Sequence, residues 1–156
     1  MPWQWLETIE TVSPTGAEGT AFFGGARYDT DDHFPGAPQV PGVLQLEAMA
    51  QLAGWWLAWH RQFVGKAVLA SVQMAQFRKK ADPAERFLVW ARPLRVDGNR
   101  VLLSCELGCG EERVAACEVT LRWYDFSDPN SPFGPTLSPA WMMERFDSMR
   151  GEEESV

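Results

Sequence analysis

The sequence predicts an α+β fold in which an antiparallel sheet wraps one long buried helix. Two observations carry this expectation. Residues 43–59 are apolar on every face except at Gln45, Glu47, Gln51 and Gly54, the pattern of a helix buried all round rather than of an amphipathic surface helix. In the last of several strand-like segments Ala115, Cys117, Val119, Leu121 and Trp123 alternate with Ala116, Glu118, Thr120 and Arg122, so one face is buried and the other wet. A chain of 156 residues, 46% hydrophobic and holding 8 tryptophans, has the material for one real core.

The elements follow in order. Residues 3–12 and 20–28 read as strands joined by the turn signal Ser13-Pro14-Thr15-Gly16. From His33 to Gly42 the chain is a loop stiffened by Pro35, Pro38 and Pro41, with Gly36 and Gly42 permitting close backbone approach. The long helix comes next, and beyond it lie candidate strands at 67–77, 87–96, 100–107 and 113–123. Asp97-Gly98 marks a hairpin between two of these. Residues 126–139 hold Pro129, Pro132, Pro135 and Pro139 among Ser, Asn and Asp and form a strap. After it Trp141, Met142, Arg145, Phe146 and Met149 make a short amphipathic helix ending at Gly151, before the acidic Glu152, Glu153 and Glu154. The division expected is a domain over 1–125, then a strap, short helix and acidic tail over 126–156, the last five residues disordered.

Composition narrows the function classes. A net charge of −7 argues against a nucleic-acid partner, which asks for a broad basic surface. Glu47, Gln45 and Gln51 interrupt the apolar run, which is short for a membrane span, and no basic-then-apolar leader is expected. Cys105, Cys109 and Cys117 lack the spacing of a disulfide framework or a metal site, so no metal is expected and a reducing cytoplasm is.

The chemistry concentrates between His33 and Gln51. Glu47 and Gln51 are one helical turn apart on one face, and Gly54 continues that face as bare backbone, so a polar stripe lines something narrow. A carboxyl group there loses solvation and is suited to donating a proton. A neutral imidazole at His33 has the opposite aptitude, that of a base. His60, at the other end of the helix beside Arg61, has no role expected of it.

The run HFPGAPQVPGVLQLEAMAQLAG closely resembles the signature of FabZ-type 3-hydroxyacyl-[acyl-carrier-protein] dehydratases, members of the hotdog-fold FabA/FabZ family. A looser likeness covers residues 77–85, where Lys80 stands for an expected proline and Ala84 for an expected glycine. The resemblance implies a hotdog fold and dehydration of a 3-hydroxyacyl thioester to the trans-2-enoyl thioester. It makes His33 the base, Glu47 the acid, the Gly42 N–H the donor to the thioester oxygen and Gln51 the residue that orients the acid, with Phe34, Pro41 and Gly54 lining the acyl tunnel. No cofactor is implied, the substrate being carried on the phosphopantetheine arm of acyl carrier protein. It also implies a dimer, a homodimer or a heterodimer with a related hotdog subunit, in which the histidine of one subunit meets the acid of the other. Glutamate at the acid position resembles FabZ, whereas FabA-type relatives carry aspartate, so isomerisation is not expected.

Arg78, Lys79 and Lys80 are consecutive, with Arg86, Arg92 and Arg95 following, and this local basic run suits docking of an acidic carrier protein or is a solvated strand end. The altered second motif and the Trp55, Trp56 and Trp59 cluster point to a specialised pathway, polyketide-like or aryl-polyene-like, rather than housekeeping fatty-acid synthesis. Two other readings remain: a hotdog thioesterase, and a non-catalytic acyl-binding partner subunit, which would be expected to have lost His33 or Glu47.

Overall fold

A computed structural model describes residues 4–25 and 33–151. Within them the chain runs β1 (Leu6–Ser13), β2 (Gly16–Phe22), α1 (Gly42–His60), β3 (Gly65–Phe77), β4 (Arg86–Asp97), β5 (Arg100–Cys109), β6 (Glu112–Asp125) and α2 (Pro139–Met149). The strands form one six-stranded sheet in the order β1-β2-β4-β5-β6-β3, every neighbouring pair antiparallel. Between β2 and β4 the chain makes α1 and then β3, which pairs with β6 at the far edge; the sheet therefore curls around α1, as the sequence predicts. The expected strand over 20–28 begins earlier, at Gly16, and its positions 26–28 lie outside the described residues, as do the acidic tail and its expected disorder.

Turn chemistry sets the hairpins. Two-residue loops at Pro14-Thr15, Gly98-Asn99 and Gly110-Glu111 join paired ends Ser13 and Gly16, Asp97 and Arg100, Cys109 and Glu112. Gly98 and Gly110 sit at φ 58° and 60°, the left-handed region where a Cβ is strained. Pro93 lies in a central strand without breaking it because it falls beyond the end of the β2 pairing and at a register shift against β5.

The core is the concave face of the sheet closed onto α1. Leu44, Ala48, Met49, Leu52, Ala53, Trp56 and Leu57 meet Phe87, Val89, Leu103, Cys105, Leu107, Cys117, Val119 and Leu121, all buried. In β6 the predicted alternation holds, except that Ala116 on the outer face is also buried. The expectation of a helix buried all round needs correction. Val43 is 72% exposed, and Leu46, Glu47, Ala50, Gly54 and Trp55 are only half-buried, because a single sheet covers one side of a helical cylinder and leaves the other open.

The C-terminal segment is fastened to this core. Ser138 caps α2 by accepting a hydrogen bond from the Trp141 N–H at 3.2 Å, and Pro139 occupies the first helical turn, where its missing N–H costs nothing. Met142, Phe146 and Met149 are buried, with Phe146 against Trp55 and Phe63. Arg150 then bridges to Ile9 of β1. Among the described residues no helix is long and apolar enough to cross a membrane.

Helix α1 ends in a Schellman arrangement: the Gln62 N–H donates to Trp59 O at 3.0 Å and the Phe63 N–H to Ala58 O at 2.8 Å. Gln62 adopts φ 58°, at the position glycine usually takes. Gln62→Gly is expected to stabilise the fold by about 1 kcal/mol, measured as a raised urea midpoint at unchanged slope.

Candidate active site

The loop before α1 is held by its own backbone. Phe34 and Ala37 exchange N–H to carbonyl bonds at 3.2 and 2.9 Å, the Gln39 N–H donates to His33 O at 2.8 Å, and the Val40 N–H donates to Ala81 O at 2.8 Å. His33 stacks on Phe34 with ring centroids 4.6 Å apart, and Phe34 itself faces solvent. The stiffness predicted from the prolines is thus reinforced by hydrogen bonds across the loop.

At the start of α1, Pro41 is buried and supplies no side-chain cap, and no acidic residue sits in the first turn. The Gly42 and Val43 N–H groups precede the first helical bonds, from Leu44 and Gln45 to Pro41 O at 3.1 and 3.2 Å, and carry the partial positive charge of the helix. Gly42 is there for space: a Cβ at this position would lie 3.0–3.1 Å from the Phe77 ring. A cavity of about 370 Å³ opens here, bounded by His33, Gly42, Gln45 and Phe77 and rimmed by Arg78, Lys79 and Lys80. Gln45 is buried, donating from Nε2 to Val40 O at 2.9 Å. Arg78 donates to Gln76 at 3.2 Å and Lys79 pairs with Glu112 at 2.7 Å, both contacts at the surface.

The acid position lies around the helix from this cavity. Gln51 fixes it: its Oε1 accepts from the Trp5 and Leu6 N–H groups at 3.0 and 3.2 Å, which turns its Nε2 toward Glu47 Oε1 at 3.0 Å. A second cavity, of about 190 Å³, is lined by Glu47, Gln51, Gly54, Trp55, Lys66 and Met142, with Leu69 and Leu121 beside them. An added Cβ at Gly54 meets nothing within 4 Å, so this glycine leaves room in the cavity.

Of the residues singled out from sequence, the structure groups His33 and Gly42 with the basic run, and Glu47, Gln51 and Gly54 with each other. His33 and Glu47 line different cavities of one chain, and neither Phe34 nor Pro41 lines the cavity that holds Glu47. Sequence reasoning missed Lys66 and Met142, which reach the Glu47 cavity from β3 and α2, because no spacing along the chain signals a contact made across the sheet. Phe77 belongs to the second motif, but its packing on Gly42 is a tertiary contact that the motif does not state.

Comparison with known proteins now decides the family. A family model described as the FabA-like domain matches residues 29–115, more than half of the chain. The chain belongs to this family. A relative from Lactiplantibacillus plantarum, 3-hydroxyacyl-[acyl-carrier-protein] dehydratase FabZ, is 36% identical over 90 residues, covering 57% of this chain and 60% of the relative. The chain thus spans 60% of the length of such curated relatives. Among solved structures, the dehydratase heterocomplex ApeI:P from Xenorhabdus doucetiae aligns with a TM-score of 0.66 at 17% identity over 81% of this chain and 86% of that one. Thioesterase HI1161 from Haemophilus influenzae aligns at 0.63 with 11% identity over 78% and 80%. The fold is the hotdog fold, which hosts both kinds of protein.

The two glycines respond oppositely to a methyl group. Gly54→Ala is expected to stabilise the chain by about 0.5–1 kcal/mol, since alanine is the better helix former and nothing obstructs it. Gly42→Ala is expected to destabilise it, because the Phe77 ring must move; urea titrations of both variants check the pair of signs.

Proposed function

We propose that the protein dehydrates a 3-hydroxyacyl thioester carried on acyl carrier protein, giving the trans-2-enoyl thioester. The observation that carries this reading is the division of labour along residues 33–51: a histidine beside an uncapped helix N-terminus at one cavity, and a carboxyl group held by Gln51 at another. His33 removes a proton from C2, and the charge that moves onto the thioester oxygen is met by the Gly42 N–H. Glu47 protonates the C3 hydroxyl, which departs as water as the C2–C3 double bond forms. Because Gln51 donates to Glu47 Oε1, the proton for this step rides on the other carboxyl oxygen. None of these steps calls for a metal or redox cofactor.

The two halves of the site meet across a dimer, His33 of one subunit facing Glu47 of the partner subunit. Strand β3 supports this: it is a thirteen-residue edge strand, exposed along most of its length, with Val68, Leu69, Val72 and Phe77 all more than a third exposed. A long apolar edge is an invitation to pair with a second copy, and Val43 on the open side of α1 adds to the surface to be covered. A homodimer satisfies this most simply; a related hotdog subunit is the variant that a specialised, aryl-polyene-like or polyketide-like pathway would use.

Arg78, Lys79 and Lys80 rim the His33 cavity, where an acidic carrier protein delivers its arm. The Lys79–Glu112 pair is half-exposed, hence weak and readily exchanged for the carrier.

Mass spectrometry of a carrier-bound 3-hydroxyacyl chain is expected to show loss of one water; release of the acyl group instead marks a thioesterase, and an unchanged chain a binding subunit. His33→Ala and Glu47→Gln are each expected to abolish water loss. Mixing the two inactive variants should restore about a quarter of the wild-type rate, one intact site in each of the half of dimers that are mixed. No recovery in subunits shown to exchange contradicts the shared site. Reversing Lys79 and Lys80 to glutamate is expected to raise KM for the carrier-bound substrate well above any change with a pantetheine thioester; equal changes on both remove the docking role.

A further inference from the structure

Lys66 is a charged group in the Glu47 cavity to which dehydration gives no task. It stands at the beginning of β3, opposite Tyr124 of β6, and is half-buried. Its Nζ lies 5.7 Å from the centroid of the Trp55 ring. The ion pairs among the described residues are Lys79–Glu112, Arg86–Glu7, Arg95–Asp97 and Arg113–Glu106, so no described carboxylate, Glu47 included, pairs with Lys66. Burial pushes its pKa down, the response of an ammonium group losing water without gaining an anion. The indole face offsets part of that cost and leaves a cation among the groups that line the cavity.

The cavity therefore carries two unlike groups. Glu47 and Gln51 line it where the reacting group is held in the proposed reaction. Trp55, Lys66 and Met142 line it as well, Trp55 about 12 Å further along the helix axis at 1.5 Å per residue from position 47. Ala50, Gly54, Ala67, Leu69 and Leu121 supply the apolar lining of this passage. A chain with a methyl terminus, filling this passage, displaces water from Lys66 and puts nothing in its place. A chain with an anionic terminus restores what burial took away.

We propose that the Glu47 cavity selects an acyl chain ending in a carboxylate, which Lys66 Nζ binds while Trp55 and Met142 flank the last methylenes. The acyl identity of the ligand rests on the dehydratase reading; the charge at its far end rests on Lys66.

The test uses pairs of 3-hydroxyacyl pantetheine compounds of equal chain length, one methyl-ended and one carboxylate-ended, as thioesters for turnover and as stable amides for calorimetric binding. The carboxylate-ended amide of the best-fitting length is expected to bind at least about tenfold more tightly than its methyl-ended counterpart. Lys66→Met is expected to abolish or reverse that ratio and Lys66→Arg to retain part of it, with circular dichroism confirming that each variant folds. Equal binding of the two amides by the wild type, or a preference that survives in Lys66→Met, overturns the proposal. Turnover judges the other reading separately: a carboxylate preference in binding without water loss from any thioester keeps the Lys66 subsite and rejects dehydration, whereas water loss with a methyl-end preference does the reverse.

Discussion

A nineteen-residue helix with apolar side chains nearly all round can be buried only by something that curves, and here the curvature comes from a six-stranded antiparallel sheet. One sheet reaches one side of the cylinder. The face toward β4, β5 and β6 is dry; the face carrying Val43, Leu46, Glu47, Ala50 and Gly54 is left half-open. The open side holds the Glu47 cavity, which borders the long exposed edge of β3, while the His33 cavity opens around the helix at its N-terminus. The geometry that makes the core also makes the site.

On that open side, polar groups are placed by backbone rather than by loops of side chains. Gln51 shows how: two N–H groups at the start of β1 claim its oxygen, leaving its nitrogen no freedom but to face Glu47. A carboxyl group held in this way has one oxygen committed to the fold. At the other cavity the helix presents its N-terminus, and Phe77 from β3 packs so closely on Gly42 that a Cβ there would meet its ring.

Much of the fold was legible because its signals are local. Gly98 occupies a turn that needs a positive φ, the proline-rich loop ends where α1 starts, and the alternation in β6 separates core from surface. The site was legible where its residues share one helix or one loop, as Glu47, Gln51 and Gly54 do. It was not legible where the contact crosses the sheet. Lys66 reads along the chain as one more lysine at a strand start, and Met142 as the buried face of a small helix; only the pairing of β3 with β6 and the docking of α2 bring them to Glu47. The helix was also expected to be buried all round, because an apolar sequence reports that a face must be covered and not by which chain.

The two far ends of the described chain meet beside the candidate acid. Arg145 of α2 donates to Gln4, whose own amide donates to Leu6 O at 3.0 Å, and Arg150 bridges to Ile9. The strand so fastened is the one whose first N–H groups hold Gln51. In the order of synthesis this is a long wait: residues 4–9 leave the ribosome well over a hundred residues before the helix that clamps them. A nascent chain can form its hairpins early, yet the Arg145–Gln4 and Arg150–Ile9 contacts that fasten this strand can close only after α2 has emerged and folded back.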